Sequence, residues 1–379
     1  MRQGLEETRH DALLEVLWPA ATRTERSPQP LLGDYTGFPD ADAPQFLLPR
    51  DRRAADGVLT HFRSDGRVGR RALVALMRTT GGWPFGRRVR VGGPDADATI
   101  EAHLRDVLGV DVFLGIQLGP QRANRKPILQ VLGADRLPLA FGKLGVDPLT
   151  RGLVHSEADA LRRLAGHDLP GIRLPALLHA DRWGEHELLL TTPLPMGEAE
   201  RPVPGARRVE AMVTVTRALG TRQLAPAASG WLTRHRVQAT ALPAGPLRER
   251  LLGAVEVLAA VPDAWEVGCW HGDWVDSNTA VHGGDVLLWD WERFDPAVPV
   301  GWDALHHALG EGPRRASVLL DDAPGLLAPF DVPSDRARSV AVGYLVELAL
   351  RHAGDDQRGA AGSAARVEDW LLPVLPGSP

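Results

Sequence analysis

The sequence predicts an α+β protein in which a β-rich half precedes a mostly helical half. Between residues 112 and 145, three apolar runs of strand length lie close together: VFLGIQLG, ILQVLG and LPLAFGKLG. Such runs, joined by short polar loops, are typical of an antiparallel meander. From Pro193 onward, runs with helical spacing dominate, and segments rich in Pro and Gly separate them.

The chain divides into three parts. Residues 1–100 form an N-terminal extension that is irregular to about residue 43, where Pro, Gly and Asp are frequent. The extension then contains the short strand FLLP and two helical runs, AADGVLTHF and GRRALVALM. Residues 101–192 form the β-rich part, and residues 193–379 form the helical part.

Further elements surround the three central strands. The strand RVRV and the helix IEAHLRDVLG precede them in the chain. The helix LTRGLVHSEADALRRLAG follows them, and two more strand-like runs, ALLHA and HELLLTT, come next. The predicted order is therefore a sheet interrupted by one long helix, with a hinge near Thr191 to Pro195 that leads into the helical part.

Composition narrows the class of protein. The net charge of −5 is spread along 379 residues without a dominant block, so we expect neither nucleic acid nor an anionic membrane as the partner. The single cysteine, Cys269, cannot form an internal disulfide and suits a reducing cytosol. The N-terminal residues lack the apolar core of a signal peptide, and no apolar stretch is long enough to span a bilayer. We therefore expect a cytoplasmic protein.

Lysine is unusually rare in this chain. Of 43 basic residues only two are lysines, Lys126 and Lys143. A compact ammonium group fits a tight pocket that a planar guanidinium does not fit. A lysine retained in so arginine-rich a chain is therefore a candidate functional residue, although drift accounts for any single one.

The long helix after the third central strand carries an acidic residue on its apolar face. Leu153, Glu157, Leu161 and Leu164 share one face of the helix. A carboxylate on a buried face needs a cation or strong hydrogen-bond donors. Lys143, at the end of the preceding strand, is the nearest lysine in the sequence. A strand lysine paired with a helix glutamate is the arrangement that holds nucleotide phosphates in kinases. The alternative is a solvated glutamate at the edge of the face.

A basic loop, GPQRANRKP, joins two of the central strands. Its cations, among them Arg122 and Lys126, are candidates for covering nucleotide phosphates. The loop has neither the G-x-G-x-x-G spacing nor a Walker A pattern. An exposed polar hairpin loop is an equally good interpretation.

The segment from Asn278 to Asp290 predicts a β-hairpin. Two short apolar arms flank Gly283 and Gly284, which is a good hairpin signal. Folding the arms about the glycines places Asn278 opposite Asp290 or within one or two positions of it, and a three-residue loop would place them directly across from each other. Two oxygen ligands at the open end of a hairpin suit Mg²⁺.

Asp273 lies in the loop that enters this hairpin, five residues before Asn278. In that position its carboxylate is free to orient a hydroxyl nucleophile. The alternative is that Asp273, Asp276 and Asn278 only form turns, as Asp and Asn often do. The joint occurrence of the His-Gly-Asp sequence, the Asn, the hairpin and the final Asp favours a site over simple turns.

These motifs resemble those of the aminoglycoside phosphotransferase and choline kinase group of kinase-like enzymes. The stretch HGDWVDSN, from His271 to Asn278, matches the pattern H-x-D-x-x-x-x-N of that group. The apolar strand that ends in WDWE, from Trp289, matches the later strand that ends in Asp. The segment GWDAL, from Gly301, matches a following motif, and in all the resemblance covers about residues 105 to 310.

The resemblance implies a bilobal protein-kinase-like fold, with an antiparallel β-sheet in the N-lobe and a mostly helical C-lobe. It also implies roles for individual residues. Asp273 would be the catalytic base, and Asn278 and Asp290 would be the Mg²⁺ ligands. Lys143 would hold the nucleotide phosphates, fixed in place by Glu157. His271 would support the loop.

The implied activity is transfer of the γ-phosphoryl group of ATP, or of GTP as an alternative, to a hydroxyl of a small polar molecule. Candidate acceptors are sugars, aminoglycosides, nucleosides and amino alcohols. Two other readings stay open: an inactive kinase-like binding protein, and a metal-dependent phosphoesterase suggested by the GDxxD spacing of Gly272 to Asp276.

Two residues near the motifs are candidate substrate contacts, Trp274 and Asp303. Trp274 stands beside Asp273 and could stack on a sugar ring.

Strand alternation predicts that Trp289 and Trp291 face away from Asp290, toward the core. The pair His306 and His307 has no partner at metal-ligand spacing, so we interpret it as packed or solvated.

Overall fold

The computed structural model describes residues 14–19, 22–23, 30–38, 45–61, 87–118, 126–196, 199, 201–309, 313–357 and 372–376. The chain forms two compact units, each built from two pieces of sequence. Unit 1 consists of Met1–Ala158 and Pro175–Glu198, and unit 2 consists of Asp159–Leu174 and Ala199–Pro379.

The described residues include fifteen strands and nine α-helices. In chain order, the strands are β1 (Thr22–Arg23), β2 (Leu31–Phe38), β3 (Phe46–Pro49), β4 (Arg87–Gly92), β5 (Phe113–Gln117), β6 (Ile128–Leu132), β7 (Pro138–Gly145), β8 (Ile172–Arg173), β9 (Leu177–Trp183), β10 (His186–Thr191), β11 (Arg222–Leu224), β12 (Trp265–Trp270), β13 (Thr279–His282), β14 (Asp285–Leu288) and β15 (Asp295–Pro299). The α-helices are α1 (Arg52–His61), α2 (Ile100–Leu108), α3 (Pro148–Leu164), α4 (Gly205–Arg217), α5 (Gly230–Ala241), α6 (Pro246–Ala259), α7 (Trp302–Leu309), α8 (Pro313–Leu327) and α9 (Ser334–Gln357).

A nine-stranded antiparallel sheet forms the centre of unit 1. Its strand order is β1-β4-β2-β3-β5-β6-β7-β10-β9. The predicted meander is confirmed, because β5 pairs with β6 and β6 pairs with β7. The predicted strands FLLP, RVRV, ALLHA and HELLLTT are also present, as β3, β4, β9 and β10. Together with the helical core of unit 2, this sheet confirms the predicted α+β class.

Strand β2 lies in the interior of this sheet, which corrects the prediction that the chain is irregular to about residue 43. Strand β2 has eight residues and pairs with β3 on one side and β4 on the other. Its buried positions are Gly33, Tyr35 and Gly37. Two of these three are glycines, so the apolar alternation that reveals a strand is hidden from a hydropathy pattern. A side chain at position 33 would collide with the Tyr35 ring. The predicted boundary at residue 100 therefore crosses a continuous sheet.

Helices cover both faces of the sheet of unit 1. On one face, α2 inserts Ile100 and Leu104 against strand residues such as Leu129. On the other face, Val58 of α1 packs near Leu132. The predicted helices AADGVLTHF, IEAHLRDVLG and LTRGLVHSEADALRRLAG are confirmed as α1, α2 and α3. The predicted helix GRRALVALM lies outside the described residues.

The core of unit 2 is helical and rich in tryptophan. The rings of Trp231, Trp265, Trp270 and Trp302 contact one another, and Tyr344 of α9 joins them. These rings bury large apolar areas and hold β12 against the helices. Two small sheets complete the unit, in the strand orders β11-β12-β15 and β13-β14-β8. Among the described helices of the chain, none has the length and apolarity needed to cross a membrane.

Candidate active site

Unit 1 contains a buried ion pair between the predicted lysine and the predicted glutamate. The Nζ atom of Lys143 lies 2.8 Å from Oε1 and 2.6 Å from Oε2 of Glu157. The Glu157 side chain is 2% exposed and the Lys143 side chain is 17% exposed. The ammonium group thus contacts both oxygens of a carboxylate that water barely reaches, which fixes the direction of the lysine side chain.

Strand and helix periodicity explain why these two side chains meet. Leu144 packs into the core shared with α2, so Lys143, its neighbour on β7, projects from the opposite face of the sheet. Lys143 pairs across the sheet with Leu189 of β10. Leu189 packs against Val154 and Ala158 of α3. The lysine and the inner face of α3 therefore lie on the same side of the sheet, as the sequence predicted.

Of the two cations predicted to cover nucleotide phosphates, the structure describes one. Lys126 directly precedes Pro127 and β6, and it is half-buried. Arg122 lies outside the described residues. Their predicted role toward nucleotide phosphates stays a prediction.

The loop from His271 to Asn278 follows β12 in unit 2. Gly272 has a positive φ of 84°, a conformation that residues with a Cβ atom rarely adopt. A Cβ atom at this position would overlap the carbonyl oxygen of Arg293. The glycine therefore lets the backbone turn sharply after β12 and lie directly against the segment that follows β14.

Asp303 of α7 binds the backbone at the start of this loop. Its Oδ2 atom accepts the backbone N–H of His271 at 2.7 Å, and its Oδ1 atom accepts that of Gly272 at 3.0 Å. Asp303 is 1% exposed. This corrects its assignment as a substrate contact, because a carboxylate sealed from solvent and bound to the backbone has no surface for a substrate. Burial raises the pKa of Asp303 to about 7.

His271 is fully buried and links the loop to the end of β14. Its Nδ1 atom accepts the N–H of Asp273 at 3.2 Å, so its Nε2 atom carries the proton and donates to the carbonyl oxygen of Trp289 at 3.0 Å. Burial lowers the pKa of His271 to about 4, so the ring is neutral near pH 7. The ring thus holds the loop and the hairpin together.

The Asp273 carboxylate is hydrogen-bonded by neighbouring side chains but is still accessible to solvent. Its side chain is 34% exposed. Its Oδ2 atom accepts the amide Nδ2 of Asn278 at 3.0 Å. Its Oδ1 atom lies 3.3 Å from Nε2 of His306. Burial alone would raise the pKa of Asp273, but the His306 hydrogen bond and the charge of Arg351 outweigh it and lower the pKa. The carboxylate is therefore ionised near neutral pH.

The predicted hairpin is present as β13 and β14, with a shorter turn than the three-residue loop considered from the sequence. His282 pairs with Asp285, so only Gly283 and Gly284 form the turn. Both glycines have positive φ angles, 58° and 98°, as two-residue hairpin turns require. The N–H of Trp289 donates to the carbonyl oxygen of Asn278 at 3.3 Å. Asp290 therefore comes one position after the residue opposite Asn278.

The donor atoms of Asn278 and Asp290 fit a hard divalent cation. The Asn278 amide nitrogen donates to both the carbonyl and Oδ2 of Asp273, so the amide oxygen points away from these acceptors. Asp290 lies close enough to Asp273 for its negative charge to act against the ionisation of Asp273. Asp290 also has a positive φ of 71°, an uncommon backbone conformation that is enriched at functional sites. An amide oxygen beside clustered carboxylates is a donor set that Mg²⁺ takes.

The tryptophans around the loop differ in burial, and Trp274 and Trp289 depart from the sequence prediction. Trp274 is 0% exposed and its ring lies against His271, which corrects its assignment as a substrate-stacking residue. Trp291 is also buried, as predicted. Trp289 is half-buried, and the Arg201 guanidinium lies over its ring, 4.8 Å from the centroid. Since β14 ends at Leu288, strand alternation does not extend to these tryptophans.

The contact that sequence reasoning missed is the one between His306 and Asp273. A helical histidine 33 positions after Asp273 has no sequence spacing that connects it to the loop. The only signal was the polar pair His306–His307, which interrupts the apolar residues of α7. His307 lies 4.0 Å from Asp276 of the same loop.

No protein-family model matches the sequence, and no curated protein matches it significantly. Solved structures do match over most of their length. One is assigned as a fructosamine-3-kinase from Haemophilus somnus 129PT, with 13% identity and a TM-score of 0.46, covering 73% of this chain and 96% of that one. Another is a thermostable mutant of the aminoglycoside phosphotransferase APH(4)-Ia with ADP and hygromycin B, with 13% identity and a TM-score of 0.47, covering 72% and 98%.

A glucosamine kinase also matches, with 14% identity and a TM-score of 0.39, covering 77% of this chain and 88% of that one. These proteins are of the kind whose motifs the stretch HGDWVDSN resembles. At this level of similarity the neighbours share no more than a fold with this chain.

Proposed function

We propose that this protein is a small-molecule kinase that transfers the γ-phosphoryl group of ATP to a hydroxyl of a polar acceptor. The observation that carries the proposal is the Lys143–Glu157 pair. One of only two lysines in the chain contacts both oxygens of a buried carboxylate. In kinases, such a strand lysine, fixed by a helix glutamate, holds the phosphates of the nucleotide.

Asp273 supplies the second half of the proposed chemistry. Its ionised, partly exposed carboxylate accepts the proton of the acceptor hydroxyl as the new bond forms between the acceptor oxygen and the γ-phosphorus. The bond between the γ-phosphorus and the bridging oxygen breaks, and ADP leaves with that oxygen. Catalysis then depends chiefly on positioning and on neutralising phosphate charge.

Asn278 and Asp290 would hold Mg²⁺ through the amide oxygen and the carboxylate. When bound, the ion would neutralise part of the charge on the nucleotide phosphates. The fixed orientation of the Asn278 amide supports this assignment, because its nitrogen is already committed to Asp273. Comparing ATP with GTP as the phosphoryl donor will show which nucleotide the protein uses.

A direct test measures nucleotide consumption with a panel of sugars, aminoglycosides, nucleosides and amino alcohols, with ATP or GTP and with or without Mg²⁺. The proposal expects Mg²⁺-dependent transfer to at least one acceptor. Asp273→Asn should reduce kcat by about 10²-fold or more, and Lys143→Met should raise the KM for the nucleotide.

A matched control lies in the same loop. Asp276 is exposed and borders Arg208 and His307 instead of the Asp273 carboxylate. Asp276→Asn should keep kcat within about twofold of the wild-type value, as is usual for an exposed residue outside the chemistry. The alternative, an inactive binding protein, would be favoured by a negative result in both assays. In that case neither Mg·ATP nor Mg·GTP would stabilise the protein thermally, and no acceptor would be phosphorylated.

A further inference from the structure

His306 lies between the proposed base and a buried tyrosine. Its Nε2 atom is 3.3 Å from Oδ1 of Asp273, and its Nδ1 atom is 2.9 Å from the hydroxyl oxygen of Tyr344. The His306 side chain is 12% exposed and Tyr344 is 1% exposed. The three groups form a chain of hydrogen bonds that runs from the core of unit 2 to the carboxylate.

The acceptors at the two ends fix where the protons lie. The ionised Asp273 carboxylate can only accept hydrogen bonds, so Nε2 of His306 must carry a proton to bind it. Burial lowers the pKa of His306, and the positive charges of Arg351 and Arg293 lower it further, so the ring carries one proton only. Nδ1 is then an acceptor. Tyr344, whose pKa burial raises well above its usual value, stays protonated and donates to it.

Both oxygens of Asp273 are therefore bound by donors that belong to the protein. Asn278 binds Oδ2, and His306 binds Oδ1. Rotating the carboxylate would break both bonds at once. Each carboxylate oxygen has a second lone pair, so the carboxylate still has capacity to accept a proton while its plane is fixed.

We propose that His306, itself oriented by Tyr344, is a positioning residue that holds the Asp273 carboxylate in the orientation needed to accept the proton of the acceptor hydroxyl. The inference rests on the proposed function, because Asp273 acts as a base only in that reaction. Misplacing a reacting group by about 1 Å can cost about 10²-fold in rate. A lost donor at Oδ1 should therefore affect kcat far more than nucleotide binding.

A purely structural role for His306 makes a different prediction. Packing alone would be satisfied by an apolar side chain of similar size. Positioning requires a hydrogen-bond donor at the place of Nε2. Leucine fills the space without a donor, and glutamine places an amide N–H near that position, so the pair of variants separates the two roles.

The kinetic test compares His306→Leu, His306→Gln and Tyr344→Phe in steady-state transfer from ATP to the best acceptor found. We expect His306→Leu to lower kcat about 30-fold with the KM for ATP within twofold, and His306→Gln to recover kcat to within about fivefold of wild type. Tyr344→Phe should lower kcat by a few-fold, because it removes the hydrogen bond that fixes the tautomer of His306.

His307→Gln, the neighbouring control, should keep the wild-type kcat within about twofold. Equal kcat values for the leucine and glutamine variants, whether high or low, would overturn the inference.

A second measurement does not depend on activity. Nitrogen-15 NMR of the histidine rings in the wild-type protein reports the tautomer of His306, with its signals assigned by their loss in His306→Gln. We expect a neutral ring with the proton on Nε2. A ring protonated on Nδ1, or on both nitrogens, near pH 7 would overturn the inference even in an active enzyme. Absence of transfer to every acceptor would overturn the proposed function and this inference with it.

Discussion

The carboxylate of Asp303 binds the backbone N–H groups of both His271 and Gly272, at 2.7 Å and 3.0 Å. One buried side chain on α7 thereby fixes the start of the loop that carries Asp273. Because the two N–H groups face a carboxylate sealed from solvent, the geometry of the loop depends on a residue that lies outside the loop.

Removing this carboxylate should destabilise the protein. Asp303→Ala would leave two buried N–H groups without their acceptor, at a cost of about 1–3 kcal/mol for each. We expect a loss of about 2–5 kcal/mol in the free energy of unfolding, measured by urea denaturation. Asp303→Asn keeps one acceptor oxygen and should cost less. Equal stability of the alanine variant and the wild type would show that the loop holds its shape without Asp303.

The pH dependence of stability should expose two opposing titrations. Burial lowers the pKa of His271 to about 4, so the unfolded chain binds a proton more readily than the folded one between about pH 6.5 and 4. His271 thus makes stability fall on acidification across that window, by about 3 kcal/mol in full. Burial raises the pKa of Asp303 to about 7, so Asp303 makes stability fall as pH rises from about 4 to 7.

The Asp303→Asn variant separates these two effects. It removes the Asp303 titration and keeps that of His271. Its free energy of unfolding should therefore fall more steeply than that of the wild type as pH drops from about 6.5 to 4, as measured by urea titrations at a series of pH values. Parallel pH curves for the two proteins would contradict the raised pKa of Asp303.

Gly272→Ala should be among the most damaging substitutions in the loop. The residue has a φ of 84°, and an added Cβ would overlap the carbonyl oxygen of Arg293. Both the backbone strain and the steric overlap oppose alanine, so we expect a loss of at least about 2 kcal/mol. Thermal melting measures the loss. Gly284→Ala is a useful comparison, because its φ is also positive but no atom lies within 4 Å of the added Cβ, so strain alone acts there.

Loss of Lys143 should destabilise the folded protein more than loss of its partner Glu157. Glu157 is 2% exposed and Lys143 is 17% exposed, so the carboxylate is the more poorly hydrated charge. We expect Lys143→Met to cost about 2–4 kcal/mol of stability and Glu157→Leu to cost clearly less. The exposed pair Arg162–Asp159 on α3 is the control, and Arg162→Met should cost about 0.5 kcal/mol or less. Equal losses for the two buried-pair variants would contradict the asymmetry.

Much of the fold was predictable because its elements carry local patterns. The strands β5, β6 and β7 and the helix α3 have clear apolar periodicity, and Lys143 and Glu157 could be paired because they lie on consecutive elements. Strand β2 escaped prediction because glycines occupy two of its buried positions. Its place in the sheet depends on its pairing with β3 and β4, which no local pattern records.

The candidate site was predictable only where its residues share one stretch of chain. Asp273, Asn278 and Asp290 belong to a single loop and hairpin, so their spacing was informative. His306 and Asp303 reach the loop from α7, and their roles depend on how α7 packs against β12. The burial of Trp274 was missed for the same reason, since sequence shows that a ring is near a loop but not which way it turns.

The division into units has a consequence for the order in which the protein can fold during synthesis. Residues 159–174 belong to unit 2, although the pieces on either side of them belong to unit 1. Within them, β8 pairs with β14, and the ion pair between Arg173 and Asp285 closes a separation of 112 positions. Strand β8 therefore leaves the ribosome long before its partner exists, and unit 2 is completed late. No single uninterrupted gene fragment encodes either unit, so a fragment ending at residue 198 would carry β8 without β14, and one starting at residue 199 would lack β8.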